Sequence, residues 1–144
     1  MIALTLHQPF ASLVMRRIKR TETRSWAAPD TVIGNRIAIH AARRVPIDVD
    51  PLVEKICREW LGENWALEVP LGCLLGTVRV DRCERMPIVG PKSWQDRACG
   101  IWKLGRFGWD LSDPIRFADP VPCRGYQRLW RVRDEIIEAA GGVV

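Results

Sequence analysis

The stretch Lys19-Arg20-Thr21-Glu22-Thr23-Arg24-Ser25-Trp26 stands out in this chain of 144 residues. Its threonines favour a β-strand, but neither alternate set of its side chains is apolar, whereas a strand lying on a core needs one apolar face. Two interpretations follow. The stretch is either an edge strand that its charges protect from further pairing, or one wall of a polar and positively charged cleft.

The same stretch carries the residue types that bind a phosphate and a base together. Guanidinium and ammonium groups hold phosphates by charge-assisted hydrogen bonds, and the indole of Trp26 can stack a splayed base for ~1–3 kcal/mol. Glu22 can accept a hydrogen bond from an exocyclic amine, or it can simply neutralise its neighbours. Five basic residues surround this acid between positions 16 and 26: Arg16, Arg17, Lys19, Arg20 and Arg24.

The flanking sequence mixes strand and helix patterns without strict alternation. Period-two patterns predict strands over 2–6, 19–26, 35–42, 71–83, 101–111, 115–121 and 127–132. Helical spacing and end signals predict helices over 9–18, 49–62 and 134–140, and the prolines and glycines of 86–100 predict a loop. The fold class expected is α+β, a small mixed β-barrel of about six strands with flanking helices, in one domain over 1–144.

Tryptophan accounts for seven of the eleven aromatic residues. Trp60 lies on the apolar stripe of the second helix and Trp130 in a strand, so both are predicted to pack in the core. Trp26 and Trp102 have polar or basic neighbours and are candidate stacking surfaces for a base.

The composition favours an anionic partner. The net charge is +5, and the basic residues are 18 Arg and 4 Lys. Arginine is the side chain that pairs with phosphates and stacks on bases, although Arg-rich codon usage gives the same composition.

Several other chemistries lack their parts. The chain has no phosphate-binding P-loop, no dinucleotide-binding glycine motif and no nucleophile elbow. Its five cysteines form no Cys-x-x-Cys pair, which argues against zinc and favours a reducing, cytoplasmic location. A cysteine nucleophile paired with His7 or His40 is disfavoured. No apolar run is long enough to span a membrane, and no cofactor is expected.

Three segments resemble the ASCH domain, the activating signal cointegrator-1 homology domain. They are Leu6-His7-Gln8-Pro9-Phe10-Ala11-Ser12-Leu13, the Lys-x-x-Glu-x-Arg element at 19–24, and Ile37-Ala38-Ile39-His40-Ala41-Ala42. Gly72-Cys73-Leu74-Leu75-Gly76-Thr77-Val78 is similar to the central strand of the family, and Pro122-Cys123-Arg124-Gly125 to its closing strand. The resemblance covers residues 2–132. It implies a PUA-like β-barrel with a cleft beside the first helix and RNA-related roles.

The resemblance also implies site residues. It points to Lys19, Glu22 and Arg24 as cleft residues, with Gln8 and Pro9 at the rim beside Trp26. A bacterial branch similar to this family hydrolyses acetylcytidine, but its motif has Thr where this chain has Glu22, which weakens an amidohydrolase interpretation. Ribonuclease activity is attributed to some members, yet this sequence shows no evident acid and base pair.

The sequence therefore predicts a nucleic-acid-binding module for RNA or single strands. The residues predicted to bind are Gln8, Pro9, Arg17, Lys19, Glu22, Arg24, Trp26 and Trp102. One alternative is a small hydrolase of a modified nucleoside or a ribonuclease, with Lys19 and Glu22 as its catalytic groups. Another alternative is an adaptor that binds a protein partner.

Overall fold

The structure is a computed structural model that describes all 144 residues. Its strands are β1 (Ile2–Leu6), β2 (Thr21–Arg24), β3 (Arg36–Ala41), β4 (Cys73–Arg85), β5 (Phe107–Pro122) and β6 (Leu129–Arg131). Its helices are α1 (Phe10–Met15), α2 (Pro51–Leu61), α3 (Trp65–Glu68), α4 (Trp94–Ala98) and α5 (Asp134–Ala139). The strands form one six-stranded sheet. The predicted α+β class with about six strands is confirmed.

The sheet curls until its two borders approach each other. The strand order is β2-β5-β4-β3-β1-β6, with β1 and β3 parallel and every other pair antiparallel. The two long central strands, β4 and β5, carry register shifts, which bend and twist a strand. As a result, the side chain of Arg24 in β2 reaches the carbonyl of Thr5 in β1, at an Nη2···O distance of 3.5 Å. The sheet is therefore a half-barrel.

Strand β5 replaces two of the predicted strands. The sequence predicted separate strands over 101–111 and 115–121, because Asp113 and Pro114 lie between them. Asp113 does adopt a positive φ of 48°, but pairing with β4 continues after a shift, with Arg79 opposite Ser112 and Thr77 opposite Ile115. The break in the pattern is a bulge inside one strand.

Helix α1 packs on the sheet and ends earlier than predicted. It contacts β3, β4 and β5, and a Cβ at Gly76 would lie 2.5 Å from the Met15 methyl group, so glycine permits this close approach. The helix does not run to residue 18, because Arg17 takes a left-handed conformation with φ 61°. The Ile18 N–H then donates to the Leu13 carbonyl at 3.0 Å, which is a Schellman ending.

Other predictions are confirmed or corrected by the structure. Asp50 caps α2 as predicted, since the Leu52 N–H donates to its carboxylate at 2.9 Å. Trp60 is 45% exposed, so its predicted core position is wrong. The predicted loop 86–100 contains helix α4. The sequence also predicts Asp134 as the cap of the last helix, but Asp134 is the first residue of α5 and no side chain caps this helix.

Three further structural findings bear on chemistry. No helix combines the length and the apolar character that crossing a bilayer requires. No three His, Cys, Asp or Glu side chains lie together in a way that could hold a metal ion. Burial raises the pKa of all five cysteine thiols, to about 12 for Cys57 and about 11 for Cys99, so these groups stay protonated near neutral pH.

Candidate nucleic-acid interface

The free edge of strand β2 is closed by side chains. β2 pairs only with β5, so its other edge presents backbone groups without a strand partner. The Asp96 carboxylate accepts hydrogen bonds from the backbone N–H groups of Arg20 (2.8 Å) and Thr21 (2.9 Å) and from the Thr21 hydroxyl (2.8 Å). Arg106 donates to the Thr23 carbonyl at 3.3 Å. These contacts explain how a strand with no apolar face lies buried at the edge of a sheet.

Lys19 takes part in the same closure. Its side chain is 3% exposed, and its Nζ donates to the carbonyls of Thr21 (2.8 Å) and Cys99 (2.9 Å). Nζ also lies 3.4 Å from Glu22 Oε1. The Lys19 ammonium is thus held by two hydrogen bonds and one ion pair. We call this set the sealed edge: residues 20–23, Lys19, Asp96 and Arg106.

Glu22 is neutralised from both sides. Its carboxylate is buried between the Lys19 ammonium and the Arg24 guanidinium, and its Oε2 accepts from Arg24 Nε at 2.7 Å. Two cations therefore share one acid. The structure brings together the three residues that the sequence placed in a cleft, with only Arg24 partly exposed, at 26%. Hydrolysis by Lys19 and Glu22 remains a prediction.

Trp26 lies where the two borders of the half-barrel meet. Its indole packs edge-on against the buried ring of Trp109, with centroids 5.0 Å apart. The guanidinium of Arg128, from the segment before β6, lies 4.0 Å from the centre of the Trp26 ring, and that of Arg24 lies 5.8 Å away. The predicted stacking surface is thus half-buried and carries an arginine.

A buried hydrogen-bonded network supports the segment that carries Arg128. The His40 ring contacts the Thr5 hydroxyl through Nδ1 at 3.2 Å and the Cys123 carbonyl through Nε2 at 2.8 Å, and Trp130 donates to the Thr5 hydroxyl at 3.0 Å. Burial lowers the pKa of His40, and the hydrogen bond to Cys123 opposes that shift only in part. A Cβ at Gly125 would lie 2.4 Å from the His40 ring, so the backbone crosses directly over it.

The other predicted site residues lie apart from this meeting point. Gln8 is buried and donates to the Ser12 hydroxyl and the Pro70 carbonyl, and Pro9 directly precedes α1. Arg17 is exposed at the end of the helix. Trp102 lies beyond the sealed edge and donates to the Arg97 carbonyl at 3.2 Å.

The structure adds basic residues that sequence reasoning missed. The carboxyl ends of β1 and β3 and the start of β6 lie together at one end of these strands, since Leu6 is opposite Ala41 and Leu4 is opposite Leu129. The segments next to these ends carry exposed arginines, and only Arg24 of the set has a carboxylate partner. We call this set the arginine edge: Arg24, Arg43, Arg44, Arg124 and Arg128. The sequence signal was the lack of acids in 36–47 and 121–133.

Two cavities bear on the cleft that the resemblance implies beside the first helix. One of about 250 Å³ lies beside α1, between Ser12, Arg16 and Arg116. Another of about 350 Å³ lies near Ala28 and Phe107. Neither of these two cavities is lined by Lys19, Glu22 or Arg24.

A curled six-stranded sheet with a short helix packed on it defines an α+β half-barrel domain. Comparison of the sequence with family models agrees with that class: the family described as "ASCH domain" matches residues 4–121. This chain belongs to the ASCH domain family.

Some of the proteins that are similar to this chain are much longer than it is. Activating signal cointegrator 1 of Mus musculus is 30% identical over 143 residues, which cover 95% of this chain. The Homo sapiens protein of the same name is 30% identical over 142 residues. The match covers 23% of each relative, so this chain spans about a quarter of their length.

The solved structures with a similar fold are ASCH proteins. The crystal structure of ASCH from Zymomonas mobilis matches with a TM-score of 0.55 and 14% identity, covering 93% of this chain and 88% of that one. A mutant of the ZmASCH protein from the same organism matches with a TM-score of 0.56 and 14% identity, covering 96% and 94%. At this identity the likeness shows the fold.

Proposed function

We propose that this chain is a nucleic-acid-binding module for RNA or single-stranded DNA, with the arginine edge as its contact surface. The observation that carries the proposal is the segregation of charge. Residues 1–29, 36–47 and 121–133 contain twelve basic residues and one acid, Glu22, whereas the rest of the chain contains ten basic and sixteen acidic residues. The three segments supply β1, β2, β3 and β6. A surface of this kind attracts a polyanion.

The proposal divides the work among the site residues. Four members of the arginine edge contact phosphates, because guanidinium groups without a carboxylate partner keep their donors free. Arg24, whose Nε is bound to Glu22, contributes its remaining N–H groups. Lys19 and Glu22 hold Arg24 in position, since the ammonium of Lys19 is buried and occupied. Arg17 extends the basic surface, and Trp26 supplies an aromatic ring.

Family membership supports the same conclusion. ASCH domains are PUA-like, a class associated with RNA binding. The relatives in mouse and human carry a name that denotes a cointegrator, which fits a domain acting near nucleic acid. A coactivator-type protein partner of this chain remains a prediction.

The test is a titration of a fluorescently labelled single-stranded oligonucleotide, followed by anisotropy at roughly 50 and 200 mM salt. We expect measurable binding at the lower concentration and a marked loss at the higher one, because bound arginines release counterions from phosphates. An otherwise identical duplex shows whether single strands are preferred. Absence of binding at low salt would remove the proposal.

A further inference from the structure

Arg128 covers the ring of Trp26 from the solvent side. Its guanidinium carbon lies 4.0 Å from the ring centre, the spacing of a stacked pair. Trp109, which packs against the same indole, is fully buried, whereas Arg128 is exposed. A ligand that stacks on this face of Trp26 must therefore displace Arg128.

Arg128 is held in this position by little else. No carboxylate lies within ion-pair distance of it, and its side chain makes no hydrogen bond. Its backbone has a φ of 58°, a left-handed conformation that residues other than glycine seldom adopt. Such conformations persist where the surrounding structure imposes them and are concentrated at binding sites. Arg128 lies between Gly125, whose backbone crosses the His40 ring, and strand β6.

We propose that the Trp26 ring is the stacking surface for one unpaired nucleobase, and that Arg128 covers this surface until the base arrives. The inference rests on the proposed function and narrows it to single strands, because a duplex keeps its bases stacked on one another. A base presents a flat π-face that can take the place of the planar guanidinium. Once displaced, Arg128 binds the adjacent phosphate.

The test compares a single-stranded oligonucleotide with one of the same length in which the bases are replaced by abasic sites. Both carry the same phosphates, so the ratio of their affinities isolates the contribution of the bases. In the wild type we expect the base-bearing strand to bind more tightly than the abasic one. Trp26→Leu should reduce the ratio of the two affinities about tenfold. Trp60→Leu, at an exposed indole outside the arginine edge, is the matched control.

Arg128→Ala and Arg128→Lys test the covering role. Both remove the planar group from the ring, so the affinity ratio of base-bearing to abasic strand should rise in both. The salt slope is the slope of the logarithm of affinity against the logarithm of salt concentration. Arg128→Ala should also reduce this slope by about one, which corresponds to one lost phosphate contact, whereas Arg128→Lys should leave it unchanged. Arg97→Ala, an exposed arginine on α4 with no ion pair, should leave the ratio unchanged.

The outcomes separate this inference from the proposed function. If the wild type binds both strands and the Arg128 variants leave the ratio unchanged, Arg128 does not cover the ring, while nucleic-acid binding stands. If the wild type binds both strands equally, Trp26 stacks no base. If it binds neither, the proposed function fails and this inference fails with it. Thermal unfolding of each variant confirms that its fold is intact.

Discussion

The sealed edge and the arginine edge are two regions of one curled sheet that differ in how their charged side chains are paired. At the sealed edge, the carboxylate of Asp96 and the ammonium of Lys19 are buried and their hydrogen-bonding capacity is used by backbone groups. At the arginine edge, Arg24 pairs with the carboxylate of Glu22, and the other four guanidinium groups have no carboxylate partner. The same residue types stabilise the fold where they are buried and paired, and remain free for a ligand where they are exposed.

The largest expected effect is at the sealed edge. Asp96→Ala leaves the N–H groups of Arg20, Thr21 and Lys92 without their acceptor, so we expect the free energy of unfolding to fall by about 3 kcal/mol. Asp96→Asn keeps one acceptor oxygen and should lose less. Urea denaturation measures both. A loss below about 1 kcal/mol for the alanine variant would show that the edge does not depend on this carboxylate.

Removing two positive charges from each region in turn tests whether oligonucleotide affinity depends on the arginine edge in particular. The double variant Arg43→Ala, Arg124→Ala should lower oligonucleotide affinity about tenfold at low salt and reduce the salt slope by about two. Its free energy of unfolding should stay within about 0.5 kcal/mol, because both side chains are exposed. Arg97→Ala with Lys103→Ala removes the same charge beyond the sealed edge and is the control. Equal losses of affinity in the two double variants would show that binding depends on net charge alone.

A smaller effect is the pH dependence of stability that comes from His40, which lies beneath the arginine edge. Burial lowers the pKa of His40 below the usual 6.5, so the unfolded chain takes up a proton before the folded one. The contribution of His40 to the free energy of unfolding should be fully present above pH 6.5. It should decrease as the pH drops below that value, until His40 is protonated in the folded state as well. His40→Gln should flatten this dependence. An NMR titration of the His40 ring with a midpoint at or above 6.5 would contradict the argument.

The smallest expected effect is at the end of α1. Arg17 adopts a left-handed backbone with φ 61°, and glycine adopts it without the steric clash of a Cβ, so Arg17→Gly should raise the free energy of unfolding by about 0.5 kcal/mol. Arg17→Ala keeps the Cβ and should give no gain. Thermal unfolding distinguishes the two variants. A gain with alanine as well would mean that charge repulsion, and not the backbone, destabilises the wild type.

The elements that follow local rules were predictable from the sequence. Helix α2 has its cap at Asp50 and its proline in the first turn, and β1 and β3 show clear alternation. Helix α4 was missed because its capping residue, Ser93, lies among prolines and glycines that predict a loop. The merging of two strands into β5 was missed because register with β4, which is a tertiary property, decides whether pairing resumes after a bulge.

The candidate site was predictable only in part. Glu22, Arg24 and Trp26 are neighbours in sequence, so local composition was enough to group them. Arg128 is distant in sequence and reaches Trp26 only because the sheet curls. The burial of Lys19 depends on the carbonyl of Cys99, eighty residues away, which no local pattern reveals.

The uneven placement of acids and bases has a consequence for how the molecule would approach a polyanion. Twelve basic residues and one acid lie in the segments that form β1, β2, β3 and β6, so we expect the protein to have an electric dipole whose positive pole lies toward those strands. Near a polyanion, such a dipole experiences a torque before any contact forms, so the molecule rotates its positive pole forward as it diffuses inward. The rate of productive encounter is therefore raised, and the advantage fades when dissolved ions shorten the reach of the field to roughly 10 Å.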